Sequence, residues 1–140
     1  MQFSELNYPV ILITGLAVFS LGGLWYSPKA FLKPWIADMK IGQEEIDQCK
    51  TKGMRVTMVL TFLMCMMEVF VLAIALKAMN CTSPACGAGT GLMLGVGFAA
   101  MPIAINHLFE RHSLRFFLIT AGYPVASLTI AGAVLAAWPK

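Results

Sequence analysis

Residues Tyr8–Tyr26 read Y-P-V-I-L-I-T-G-L-A-V-F-S-L-G-G-L-W-Y, nineteen residues without a single charge. As a helix at 1.5 Å per residue this run covers about 28 Å, the thickness of a bilayer's hydrocarbon core. Three further stretches behave alike. Val56–Leu76 is interrupted only by Glu68, Gly87–Phe109 carries His107 near its end, and Phe116–Trp138 has no charge. Hydrophobic residues make up 59% of the 140 and charged residues 12%, with a mean hydropathy of +0.76. A soluble fold of this size cannot hide that much apolar surface. The sequence therefore predicts an all-α, four-helix transmembrane bundle, a single integral membrane domain over residues 1–140. The leader M-Q-F-S-E-L-N contains Glu5 and no Lys or Arg. The first run is also longer than a signal-peptide core, so it reads as a retained span.

Charge orients these spans. Lys29, Lys33, Lys40, Lys50, Lys52 and Arg55 lie between spans one and two, and Arg111 and Arg115 between spans three and four. The opposite side holds Lys77 and Lys140. By the positive-inside rule the loop 27–55 faces the cytoplasm and both termini face outward. The net charge of +3 is a topology signal, with a minor pull toward anionic lipid. It gives no reason to invoke nucleic acid. Cys81 and Cys86, in the outer segment C-T-S-P-A-C, are candidates for a disulfide, with two free thiols as the alternative. Cys49 falls on the reducing side and Cys65 inside span two. Two Cys without a His make no zinc site, and no metal or cofactor is expected. Asn80-Cys81-Thr82 formally matches a glycosylation acceptor but abuts the membrane.

The segment after span one is patterned differently. Trp25 and Tyr26 sit where a helix leaves hydrocarbon, the depth that suits rings with one polar edge. Ser27 is a good N-cap and Pro28 a good first residue, so a short helix is expected from Ser27, with Pro34 kinking or ending it early. Phe31 and Trp35 then share one face, with Lys29 and Lys33 on another. That pattern predicts an amphipathic interfacial helix, its apolar side in lipid and its lysines among headgroups. Trp25, Tyr26, Phe31 and Trp35 are its interface anchors. The stretch Gly42–Gly53, acidic first and basic last, suggests a helix leading into span two.

G-G-L-W-Y-S-P-K-A-F-L-K-P-W resembles the motif of the bacterial domain-of-unknown-function family 1761, with a Gly, a W-Y-S-P, a Phe and a later Trp at this spacing. The likeness continues in K-G-M-R before span two and A-G-Y near the start of span four. It spans nearly the whole chain, with Lys33-Pro34 as a local departure. The resemblance implies a small multi-pass protein of the bacterial inner membrane and supplies no catalytic residue.

Glu68 lies near the middle of span two, where an acidic side chain costs about 2.5–3.5 kcal/mol on insertion scales. Cys65, Thr61 and Thr57 follow at helical steps toward the inner end, so the stripe is expected to face the bundle interior. Glu68 stands about 18 Å above that end. Thr14, Ser127 and the carbonyl that Pro102 frees at Phe98 lie at similar height and are candidate partners. Asn106 and His107 lie about 12 Å lower and could extend a polar path through Tyr123 and Thr120. Two readings stand: a proton or polar-solute pathway titrating at Glu68, or a structural hydrogen bond between helices. His107 also fits a snorkelling interface residue.

Gly87, Gly91, Gly95 and Ala99 form a small-residue stripe on span three, suited to close approach by another span or a second subunit. Gly15 and Gly22 on span one, and Gly122 and Ala126 on span four, offer complementary faces. Met64, Met66 and Met67 read as adaptable packing. Three function classes follow. A carrier of the small multidrug type would use Glu68, although the carboxylate here is in span two. A membrane enzyme holding an anionic cofactor needs cations near the membrane core, and the three arginines lie in loops or at span ends. A non-enzymatic scaffold or accessory subunit, in a homo-oligomer or larger complex, asks for no unseen chemistry and is the preferred expectation.

Overall fold

The computed structural model describes residues 6–39 and 53–138. They form five helices and no strand: α1 (Tyr8–Trp25), α2 (Leu32–Met39), α3 (Met54–Ala78), α4 (Pro84–Glu110) and α5 (Leu114–Ala137). All but α2 are long and apolar enough to cross a membrane. The helix expected over Gly42–Gly53 lies outside the described residues, apart from Gly53, as do Glu5, Cys49 and Lys140.

Local chemistry sets the helix ends. Asn7 accepts the Val10 N–H at 3.3 Å and starts α1, with Pro9 in the first turn. Ser83 accepts from Cys86 N–H at 3.2 Å, and Pro84 follows where no amide is needed. These residues start α4 ahead of the expected Gly87. Ser113 accepts from Phe116 N–H at 3.1 Å and starts α5. At the far end of α3, Asn80 adopts a left-handed φ of 51°. Its N–H reaches the Lys77 carbonyl at 3.0 Å, and the Cys81 N–H reaches Leu76 at 2.9 Å. That pair of bonds is a Schellman ending with Asn in the glycine position. It turns Cys81 inward beside the bundle, where it is bonded to Cys86 with Cα atoms 5.8 Å apart.

Helix α5 is the hub. It packs against α1, α2, α3 and α4, while α4 meets α3 only sparingly. The small-residue stripe finds its partner here, within the same chain. A Cβ at Gly87 would overlap the Gly132 carbonyl and lie 2.6 Å from the Ala136 Cβ. One at Gly91 would overlap the Leu128 carbonyl, and one at Gly95 would stand 2.9 Å from the Val125 Cα. The facing positions are therefore Val125, Leu128, Gly132 and Ala136, not the expected Gly122 and Ala126. Gly122 instead lies under the indole of Trp25, and Gly22 beneath the Tyr123 hydroxyl.

Ala99 does not continue the stripe. Residues Gly95–Ala100 form a wider π turn, in which the Met101 N–H bonds to the Val96 carbonyl five residues back. Pro102 follows immediately and has no N–H to give to Phe98, so the wider turn sits where the regular ladder must fail. The extra residue advances the register by one. Ala100 becomes the buried small residue at 6% exposure, and Ala99 rotates to the margin.

Around mid-span the interior between α1, α3 and α5 is closed. Thr14, Val69, Leu72 and Ser127 are each less than 2% exposed. Phe98, Leu108 and Phe109 of α4 are at least three-quarters exposed, with Met64 and Met67 of α3 also open. Outward faces this apolar suit lipid rather than water.

Candidate functional site

The W-Y-S-P segment is a corner folded into the protein. Helix α2 begins at Leu32, not at Ser27. Residues 26–31 form successive turns instead: the Ser27 carbonyl accepts from Ala30 and Leu32, and the Trp25 carbonyl from Phe31. Pro34 then falls in the first turn of α2, where its missing N–H breaks nothing, so it does not end the helix.

The expected anchors point mostly inward. Trp25 Nε1 donates to the Ile119 carbonyl at 3.0 Å, and its ring contacts Phe31 at 4.8 Å and Tyr123 at 6.4 Å. Trp35 Nε1 donates to Thr120 Oγ1 at 3.3 Å while the indole stacks on Phe116. Tyr26 meets Trp35 edge-on at 5.3 Å and Tyr123 at 5.8 Å. The apolar side of α2 therefore docks on α5, where the part-buried indole N–H of Trp35 finds a partner, as that of Trp25 does from the end of α1. Lys29 and Lys33 stay exposed.

A latch that the sequence did not announce holds the far end of α2. Asp38 accepts from Arg115 Nη2 at 2.7 Å and Nε at 2.8 Å, and from the Ser113 hydroxyl at 2.7 Å. The Arg115 guanidinium and then the Ser113 hydroxyl hold the Asp38 carboxyl at about 2, below its ordinary 3.8. Asp38 and Arg115 are 77 positions apart. Only the docking of α2 on α5 brings them together.

From the corner a polar line enters the bundle. The Tyr123 hydroxyl donates to the Val18 carbonyl at 3.2 Å, and the Cys65 thiol lies 3.9 Å from it. Tyr123 thus ties α5 to α1 across the face of α3. Glu68, one helical turn beyond Cys65, is half-buried and makes no hydrogen bond among the described residues. Neither of the expected hydroxyls bonds to it. Ser127 donates to the Pro124 carbonyl of its own helix at 3.1 Å, while the buried Thr14 hydroxyl has no partner among the described residues. The Thr57–Thr61 part of the stripe turns outward. Both are exposed, and the Thr61 hydroxyl bonds to the Thr57 carbonyl at 2.7 Å. A stripe at steps of four drifts around a straight helix, so its ends cannot share one narrow face with Cys65.

Asn106 is exposed and apart from this line. His107 packs beside Phe116 and Phe117, with its ring centre 6.1 Å from that of His112. Its buried Nδ1 has no partner among the described residues. His112 Nε2 stands 3.1 Å from Glu110 Oε2. No described group of three His, Cys, Asp or Glu is arranged to hold a metal.

Residues 9–136 match the family described as Protein of unknown function (DUF1761). The chain belongs to this family. The match covers the W-Y-S-P corner, the hub helix α5 and all but the extreme ends of the chain. No curated protein and no solved structure matches it.

Proposed function

We propose that this DUF1761 protein is a non-enzymatic scaffold or accessory subunit of the bacterial cytoplasmic membrane. In this reading both termini face outward and the connection between α1 and α3 faces the cytoplasm, because eight of the ten Lys and Arg fall on that side. Its partners are the bilayer and other membrane subunits, whether copies of itself or different chains. The observation that carries the reading is the interior closed at mid-span. Thr14, Val69, Leu72 and Ser127 fill the space between α1, α3 and α5, Tyr123 ties α5 to α1, and the Ser127 hydroxyl is spent on its own helix. A carrier needs a wet route, and these positions offer packing in its place.

The test is isolation in mild detergent followed by native mass measurement. A stable homo- or hetero-oligomer supports the proposal, and a monomer without co-purifying chains refutes it.

A second reading rests on Glu68 itself, a carboxyl at mid-span without a hydrogen-bond partner among the described residues, close to Cys65 and Tyr123. Such a group suits proton-coupled transport. Proteoliposomes containing Glu68→Gln separate the two readings. Proton flux in the native protein that the variant loses favours the carrier; its absence from both favours the scaffold.

A further inference from the structure

At the end of the bundle opposite the corner, α1, α3 and α5 splay around an open cavity of about 460 Å³. Its volume lies within the range of small-molecule and cofactor sites. Val10, Ile11, Ala73, Leu76 and Leu135 make its walls, and the disulfide-bonded Cys81 closes one side. The polar lining is confined to the rim: Asn7 ahead of α1, Lys77 at the last turn of α3, and Thr82 beyond it. Lys77 is the one charged side chain among the described lining residues. Trp138, half exposed, stands at the mouth.

The geometry points to a binding site for an anionic phospholipid, one acyl chain in the cavity and its phosphate at Lys77. Three features select that chemistry. The walls are apolar where a span nears the headgroup region, so water gains few hydrogen bonds there and a hydrocarbon chain fills the space better. Ala73 lies one helical turn below Lys77, about 6 Å deeper, so apolar wall and cationic rim are stacked along the membrane normal as tail and headgroup are. An ammonium carries three donors and is an effective point-charge partner for phosphate. The wall that bears Cys81 is fixed twice, by the Schellman ending of α3 and by the disulfide to Cys86, which keeps the cavity from collapsing.

The test uses the full chain in nanodiscs of phosphatidylglycerol and phosphatidylcholine in equal parts, released into mild detergent and weighed by native mass spectrometry. One retained lipid per chain is expected, phosphatidylglycerol over phosphatidylcholine by fivefold or more. Ala73→Phe fills the cavity and abolishes retention; Thr82→Trp obstructs the exposed mouth and does the same if the first variant fails to fold. Lys77→Gln keeps a lipid bound but brings the headgroup preference close to one. Retention unchanged in the folded blocking variant, or a preference unchanged in Lys77→Gln, overturns the proposal. Palmitate added as a competitor distinguishes the two sources of an anionic acyl chain: displacement of phosphatidylglycerol at equal concentration overturns a phospholipid as the occupant.

Discussion

Alanine introduced at Gly91 should damage this protein, whereas alanine at Gly89, two residues away, should not. A Cβ at Gly91 overlaps the Leu128 carbonyl and lies 2.6 Å from its carbon and 3.0 Å from the Thr129 Cα. These are backbone atoms of α5, so no side-chain rotation relieves the clash. The two helices must part by about 1 Å, and overpacking of this kind costs about 1–3 kcal/mol. The same separation loosens Gly87 against Gly132 and Gly95 against Val125, which places the expected loss in the upper half of that range. At Gly89 a Cβ meets nothing within 4 Å. There alanine removes the helix penalty of glycine and should stabilise by about 0.5–1 kcal/mol. Gly97 is equally open and serves as a second control. Thermal unfolding in one detergent, followed by helical circular dichroism, orders the variants as Gly89→Ala and Gly97→Ala at or above the native protein, and Gly91→Ala well below. If Gly91→Ala and Gly89→Ala melt together, α4 does not pack on α5 through this stripe.

Further outcomes follow from the corner and the polar line. The Asp38 carboxyl is held near 2 in the folded chain against 3.8 ordinarily, so its contribution is complete above about pH 4 and is lost as pH falls through about 2. Trp35 emission should stay constant from pH 7 to 4 and change only near 2, a step that Asp38→Asn removes; a transition centred near pH 4 would contradict the latch. Trp35→Phe keeps the ring on Phe116 but loses the bond to Thr120, at a cost of about 1 kcal/mol in thermal unfolding. Glu68→Gln should fold as well as the native chain, since no described hydrogen bond depends on the carboxylate; an unfolded variant would show that a partner holds it. Maleimide should label the exposed Cys86 only after reduction and leave the buried Cys65 and Cys81 slow in both conditions.

What could be read from the sequence divides along a physical line. The spans were legible because each is a contiguous run whose length must match a bilayer, and a run of that kind needs no knowledge of its neighbours. The small-residue stripe was legible for the same reason, up to the π turn. A uniform step of four cannot anticipate an extra residue, although Pro102, four positions past Phe98, marks where the ladder must fail. The start of α2 was misplaced because Ser27-Pro28 is an equally good beginning for a turn. The choice between turn and helix is made by Trp25, whose carbonyl accepts the Phe31 amide while its indole reaches α5. Partners such as Asp38 and Arg115 carry no shared local pattern, and their meeting depends on α2 docking on the hub.

The aromatics of the W-Y-S-P corner do more than mark a membrane surface. A ring that only marks a membrane surface can sit anywhere on the rim, and its polar edge can be served by water. Trp25 and Trp35 instead direct their indole N–H groups to single acceptors on α5, the Ile119 carbonyl and the Thr120 hydroxyl. Gly122 provides the space that Trp25 occupies and Gly22 the space beneath Tyr123, so the G-G-L-W-Y and A-G-Y stretches are two halves of one contact. A phenylalanine at Trp25 would leave the Ile119 carbonyl without that donor and a gap over Gly122. Truncation here should therefore loosen α1 from α5, with α2 released as a consequence. That order can be followed by hydrogen exchange: amides of Ile119–Tyr123 should lose protection in Trp25→Phe, while those of α4 against the Leu128–Ala136 half of α5 keep theirs. Equal loss along the whole of α5 would mean that the corner acts on global stability and not as a local joint.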